Sequence, residues 1–325
     1  MKRYQHLCNE ERFYIHQAVR EGKTQKEIAE NLNRSPSTIC REMKRNMWPS
    51  AYLYTYEWAK HFVRWRKQYR ANNYEKKIDD TLGEKIEALI KCYLSPQQVS
   101  GYLARHMNIY LSHETIYRYI YSCKKRKLEL SPYLRQGNKK RRKKYGSGAR
   151  ASKIPNRKAI NLRPEIVETK SRVGDWECDT VIGEDRKCVL VTLVERKTLF
   201  TLIARVKVKT AYEVSTAIIK LLQPFVNKVK TLTFDNGSEF VQHEKIAEAL
   251  NATTYFANPY CSWERGINEN TNGLIRQFFP KRTDFRKVHY TKIRKVMHNL
   301  NNRPRKTRGY KTPNELFNNE FVPLI

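Results

Sequence analysis

The sequence predicts a mixed α/β protein, an all-helical first half followed by a mixed five-stranded sheet with flanking helices. Two features of the pattern predict it. The first half carries capped segments of helical period separated by short turns. From about residue 174 the pattern becomes alternating and β-branched. The charge divides the same way. The 325 residues carry a formal net charge of +32, with 39 basic and 16 acidic residues in 1–173 and 25 and 16 in 174–325. A chain this basic requires a polyanionic partner, and nucleic acid is the default.

The seven cysteines show no C-x-x-C spacing and no zinc-finger cluster with histidine, so they read as free thiols of a reducing compartment. No run approaches a membrane span and no signal peptide begins the chain. The expectation is a cytoplasmic, nucleoid-associated protein with no membrane partner.

Residues 1–47 read as a helix-turn-helix domain. Phe13, Ile15 and Val19 hold helical spacing and Gly22 ends the segment. Thr24 and Glu27 form a capping box for a short helix carrying Ile28, Ala29 and Leu32. Ser35 then caps a further helix with Pro36 at its first position. Ile39 and Met43 face inward. Ser37, Thr38, Arg41, Lys44 and Arg45 are left as candidate DNA contacts. An ordinary three-helix bundle would share the spacing; the basic residues on the last helix favour DNA.

The pattern recurs over 79–123. Ser95, Pro96 and Gln98 open one helix, and SHETIYRYIY (112–121) supplies another. Ser35, Thr38, Ile39 and Arg41 match Ser112, Thr115, Ile116 and Arg118, a shared S-x-x-T-I-x-R. His113, Thr115, Tyr117 and Arg118 are the candidate contacts of this second copy, which either reads a second stretch of DNA or mainly packs. Residues 48–78 are expected to be a helical spacer. Residues 124–170 are expected to be a basic flexible linker: 124–150 hold twelve basic residues and one acidic residue, Glu129.

In 171–325, WECDTVIG, KCVLVTLVER and LFTLIARVKV read as three consecutive strands. TAYEVSTAIIKLL (210–222) is an amphipathic helix with Val214, Ala217, Ile218 and Leu221 on one stripe. TLTFD is a fourth strand, IAEAL (246–250) a helix, TTYFA a fifth strand, and a helix runs from about Gly266 to Phe278. Asp179 lies inside the first strand and Asp235 ends the fourth. Glu269 opens the last helix, with 33 residues between it and Asp235. Three carboxylates that converge on one sheet edge suit hard Mg²⁺ ions, which use a few carboxylates plus substrate phosphates. Two such ions clamp the attacking and leaving oxygens of a phosphoryl displacement. Asp175 and Glu177 alternate with Asp179, which makes Asp175 the rival first ligand. On the helix, Ile267, Leu274 and Phe278 form the expected core stripe. Gly273 leaves room for a close approach, by DNA or by a packed helix.

These residues resemble the DDE transposases of bacterial insertion sequences, specifically the family named for insertion sequence thirty. The resemblance spans nearly the whole chain. It rests on S-x-S-T-I-x-R-E (35–42), S-x-E-T-I-Y (112–117), R-P-x-x-V (163–167), G-D-W-E-x-D-T (174–180), F-D-N-G-x-E-F (234–240), E-R-G-x-N-E-N-x-N-G-L-I-R-Q-F-F-P-K (264–281) and L-N-x-R-P-R-K-T (300–307). It implies a ribonuclease H-like catalytic domain over 171–325 with a C-terminal helical tail. It implies that Asp179, Asp235 and Glu269 are the catalytic metal ligands, holding two Mg²⁺ (or Mn²⁺) ions, with Asp179 rather than Asp175 as first ligand. It further implies binding to the terminal inverted repeats and to target DNA, 3′-end nicking, strand transfer, and work as a homo-oligomer, at least a dimer. Asn236, Arg276 and Lys281 are then expected at DNA, and Asn268 and Asn270 either contact DNA or cap. Lys170 and Arg308 depart from the family pattern. The competing readings are an idle transposase acting only as a sequence-specific DNA-binding protein, and a plain nuclease.

Overall fold

The computed structural model describes residues 6–48, 53–72, 77–135, 154–259 and 261–325. The chain divides into two compact units, 1–77 and 78–325.

In the first unit, α1 (Asn9–Arg20), α2 (Gln25–Asn31) and α3 (Pro36–Asn46) follow the capping signals. Thr24 and Glu27 close a reciprocal capping box on α2. Pro36 sits at the start of α3, where its missing N–H is not needed. Ile15, Ala18, Ile28, Ala29, Ile39 and Met43 form the core, and Ser37, Arg41, Lys44 and Arg45 are exposed. The expected spacer over 48–78 differs. Trp48 pairs with Leu53 in an antiparallel bridge, and the helix, α4, begins only at Tyr56 (Tyr56–Asn72). Tyr54 and Ala59 complete the core beside α1 and α3, so this segment is packed, not free.

The second unit opens with α5 (Asp80–Lys91), α6 (Pro96–Met107) and α7 (His113–Ser122), which share a core of Ile86, Leu89, Ile90, Val99, Leu103, Ile116 and Ile120. The flexible connector expected from residue 124 is not what the first residues of that span form. Residues Lys124–Leu130 form a helix, α8, because Leu130 buries its side chain in that core against the charge of its neighbours. The lysine and arginine run at 139–144 lies outside the described residues. The far end of the expected linker is also built in. Ile154, Ile160, Arg163 and Val167 are buried, the last in the short α9 (Glu165–Glu168).

The sheet follows: β1 (Asp175–Ile182), β2 (Val189–Glu195), β3 (Thr201–Val206), then α10 (Ala211–Leu222), β4 (Thr231–Phe234), α11 (His243–Leu250) and β5 (Thr253–Phe256). The strand order is β3-β2-β1-β4-β5. The first three strands pair antiparallel; β4 lies parallel to β1, and β5 to β4. That is the ribonuclease H-like mixed sheet. On α10 the buried stripe is Val214, Ser215, Ile218 and Leu222, so Leu222 takes the place expected of Leu221. One face of the sheet packs on α10 and α11 through Trp176, Val191, Leu232 and Phe234. The other packs on α12 (Gly266–Phe278) and α13 (Tyr290–Asn301) through Leu190, Ile203, Leu274 and Ile275; α14 (Pro313–Phe317) follows. The buried residues of α12 are Asn268, Thr271, Leu274 and Ile275. Ile267 therefore leaves the predicted core stripe, and the helix is rotated to place asparagines on the sheet. Among the described residues no helix is long and apolar enough to cross a membrane.

Candidate active site

Strand β1 alternates faces, so Trp176 and Cys178 enter the core below while Asp175, Glu177 and Asp179 point to the α12 side. Their fates differ. Asp175 is fully buried, held by two bonds of 3.0 Å from the Arg172 guanidinium and by the Thr231 hydroxyl at 2.7 Å. Both of its oxygens are engaged in this buried ion pair. Glu177 is buried on Arg196 Nη1 at 2.5 Å and accepts from the Asn268 backbone N–H at 3.1 Å. Burial raises its carboxyl above the usual range even so, against the pull of Arg196. Glu177 thus anchors α12 to the sheet.

Asp179, two residues further along the strand, is tied to α12. Asn272 of α12 donates to its Oδ2 at 2.7 Å, and the Thr180 N–H to its Oδ1 at 2.9 Å. Thr192 on β2 in turn donates to the Asn272 Oδ1 at 3.2 Å, which orients the amide. Asp235 follows β4, the parallel neighbour of β1. Its Oδ1 accepts the Gly237 N–H at 2.9 Å, an Asx turn. Gly237 has an ordinary φ of −70°, so it is not there for a left-handed turn. A Cβ at Gly237 would lie 2.4 Å from the Glu239 carboxylate and 2.9 Å from Asp235 Oδ1, so a larger residue would push those carboxylates aside.

Arg265 lies between the two aspartates, 3.7 Å from Asp179 Oδ1 and 3.3 Å from Asp235 Oδ2. Burial lifts the Asp179 carboxyl to about 6; Arg265 opposes that rise and the nearby Asp235 adds to it. Two neighbouring carboxylates that share one cation form an anionic seat, and the guanidinium stands in it where a hard cation would fit. The Arg265 Nε is itself buried with no partner.

Glu269 is exposed in the first turn of α12, one turn before Asn272. Among the described residues no three Asp, Glu, His or Cys side chains form a metal-holding group. The structure therefore brings Asp179 and Asp235 together and fixes the helix carrying Glu269 at Asp179, without closing the three ligands on one point. The donor set fits a divalent cation at the aspartate pair.

Other expected site residues are engaged inside the chain. Asn236 donates to the Ala257 carbonyl at 2.7 Å and accepts from Arg157, which ties the ends of β4 and β5. Arg276 donates to the Ile182 carbonyl at 2.7 Å and is half-buried, whereas Lys281 is exposed. Asn268 is buried with its amide unpartnered, so it faces protein, not solvent. The close approach at Gly273 is made by Arg135, whose Nη2 lies 2.9 Å from where a Cβ would sit. Arg308 donates to the carbonyls of Lys197 at 2.6 Å and Arg196 at 3.3 Å. It lines, with Lys170, Trp263 and Asn270, a cavity of about 450 Å³ beside the start of α12. Sequence reasoning missed Arg265, Asn272 and Glu239. Arg265 and Asn272 lie within the same 264–281 motif, and Glu239, which binds Thr180 and Lys209, within FDNGSEF.

The sheet order, with aspartates on adjacent parallel strands, defines a ribonuclease H-like domain joined to helix-turn-helix units. Residues 3–46 match the family model described as a helix-turn-helix domain. The chain is 40% identical over 312 residues to the transposase for insertion sequence element IS4351 of Bacteroides fragilis, covering 96% of this chain and 95% of that one. It is 33% identical to the transposase InsI for insertion sequence element IS30A of Escherichia coli (strain K12), covering 96% and 83%. It is 31% identical to the transposase for insertion sequence element IS1086 of Cupriavidus metallidurans, covering 96% and 94%. Among solved structures, the catalytic core domain of BIV integrase aligns with 44% of this chain and 93% of its own at 21% identity and a TM-score of 0.36. The chain belongs to the IS30 family of insertion-sequence transposases.

Proposed function

We propose that the protein binds the terminal inverted repeats of its own insertion sequence, nicks their 3′ ends and joins them to target DNA. The observation that carries this is the pair Asp179, inside β1, and Asp235, just after the neighbouring β4, sharing the Arg265 cation, with Asp179 bonded to the helix of Glu269. Asp179, Asp235 and Glu269 would hold two Mg²⁺ or Mn²⁺ ions. When bound, these would supply charge neutralisation at the scissile phosphate and an activated oxygen nucleophile. The chain's own residues prepare the site. Asn272 and the Thr180 N–H fix the Asp179 carboxylate, the Asx turn fixes Asp235, and Glu177 with Arg196 fixes the start of α12. Arg265 holds the two aspartates together, and its guanidinium would be available to a phosphate of the DNA. The first helix-turn-helix supplies Ser37, Thr38, Arg41, Lys44 and Arg45 to the DNA. The second offers His113, Thr115, Tyr117 and Arg118. The partner is double-stranded DNA, and the working form is a homo-oligomer, at least a dimer.

The test is strand transfer by the purified full chain on a duplex ending in the element's terminal repeat, with Mg²⁺. Wild type should give products joined to target DNA; nicked product alone would point to a nuclease, and end binding without chemistry to a DNA-binding protein. Asp235→Ala should abolish nicking and joining and keep end binding. Loss of end binding would return Asp235 to a structural role.

A further inference from the structure

Three arginines outside the carboxylate site gather on the far side of α12. Arg303 and Arg305, in the stretch after α13, are almost fully buried, with 2% and 7% of their surface exposed. Neither forms an ion pair with any carboxylate among the described residues, and the Nε of each is buried with no hydrogen-bond partner. Arg303 reaches only the neutral Gln277 Oε1, at 3.4 and 3.5 Å, and lies over the Phe278 ring at 5.9 Å. Arg305 donates to the Leu300 carbonyl at 3.1 Å. The third member, Arg135, is exposed; it leaves the second helix-turn-helix unit, passes Gly273 and points an Nη at Asn270, 3.5 Å away. Gln277 closes the junction with a 2.8 Å bond to the Tyr133 carbonyl. Burial lowers the proton affinity of Arg303 to about 9 and of Arg305 to about 10, and the charges that add to this are Arg305 and Arg135 on Arg303, and Arg135 on Arg305. Residues 136–153, which continue from Arg135, contain no Asp or Glu to compensate them.

We propose that Arg135, Arg303 and Arg305 form an anion site for a phosphate group, at the junction of α12, the second helix-turn-helix unit and the segment after α13. Buried like charges without a counter-ion are unfavourable, and a guanidinium fork matches a phosphate's oxygens two at a time. Arg135, the exposed member, marks the open side. A phosphate there bridges the helix of Glu269 to the helix-turn-helix unit and couples the two. Inorganic phosphate and a backbone phosphate of DNA share this chemistry.

The experiment titrates inorganic phosphate into the full chain at constant ionic strength, with chloride as balance, and follows Tm. Wild type should gain about 3 °C or more per tenfold rise in phosphate above its Kd. Arg135→Gln, at an exposed position, should weaken the apparent affinity about tenfold. Arg303→Gln removes an unpaired buried charge, so its Tm without phosphate should equal or exceed that of wild type, and its response to phosphate should vanish. A wild type that ignores phosphate, or an Arg135→Gln that responds as wild type does, overturns the site. If Arg303→Gln fails to fold, Arg135→Gln alone decides. The source is read from duplex binding without divalent metal. A slope of log affinity against log salt that falls by about one in Arg135→Gln assigns the site to DNA phosphate, and an unchanged slope assigns it to free phosphate. Only this duplex arm rests on the transposase reading, so the two fail separately.

Discussion

The two helix-turn-helix units share S-x-x-T-I-x-R, yet the structure uses them differently. In the first, the α3 carboxylate Glu42 gathers Arg12 of α1 at 2.7 Å, Asn46 at 2.6 Å and Tyr54 at 3.4 Å, so the unit closes on itself. In the second, Thr115-Ile116-Tyr117-Arg118 stands where the first has Thr38-Ile39-Cys40-Arg41, and the position matching Glu42 is Tyr119. Its helices lean on the end of the chain instead. Arg105 pairs with Glu315, Gln98 donates to the Pro304 carbonyl at 2.9 Å, Tyr310 packs on Gly101, and His106 stacks on Phe321 at 4.4 Å. One motif is therefore held by its own unit's residues in one place and by the end of the chain in the other. What differs is not the helix signal but which neighbour supplies the missing core and charge.

Breaking the self-contained copy should have the largest effect. Glu42→Ala leaves the buried Arg12 unpaired and should cost about 2–4 kcal/mol, read as a lowered melting transition of the first unit. Next comes the docked copy. A Cβ at Gly101 would lie 2.2 Å from the Tyr310 ring, so Gly101→Ala should cost about 1–3 kcal/mol. The double variant with Tyr310→Ala should recover part of that loss, and strict additivity in the cycle would refute the contact.

The third compares reading. Arg41 and Arg118 are both exposed, and Arg41 already holds Ser37 at 3.0 Å. Arg41→Ala should change folding stability by less than about 0.5 kcal/mol and weaken end binding by about 1 kcal/mol or more. An equal loss from Arg118→Ala would show that the second copy reads DNA too; no loss would leave it a packing unit.

The smallest effect is a pH dependence confined to the docked copy. Burial holds His106 below its ordinary value, with Arg105 adding to this and Glu315 opposing. A base depressed in the folded state contributes stability that is complete above its unfolded value near 6.5 and lost as pH falls toward the folded value. Lowering pH from 7.5 to 5.5 should therefore loosen the second unit slightly in wild type. His106→Phe, which keeps the stack on Phe321, should remove that difference in urea melts.

Much of this was legible along the chain. The strand containing Asp179 and the turn after Asp235 lie where alternation and Asn-Gly placed them, because those signals are local. The linker was misread at both ends for a complementary reason. Charge density over 124–170 argued against a core, yet Leu130 and Ile154 each join an apolar cluster built by other segments, and Ile160 and Val167 are buried as well. Arg265 was missed because nothing local marks an arginine that will sit between two carboxylates.

The sequence by itself determined the elements, their order and the identity of the acidic residues, since propensity, caps and period act within a few residues. Only the tertiary structure decided that Asp175 is consumed by Arg172 and Thr231 while Asp179 is left to Asn272 and Arg265. It alone decided that the second helix-turn-helix leans on α14 and the residues around it, and that Arg303 and Arg305 lie buried with no ion pair among the described residues. Those are outcomes of which distant side chains meet, and burial sets their energies, so no local pattern encodes them.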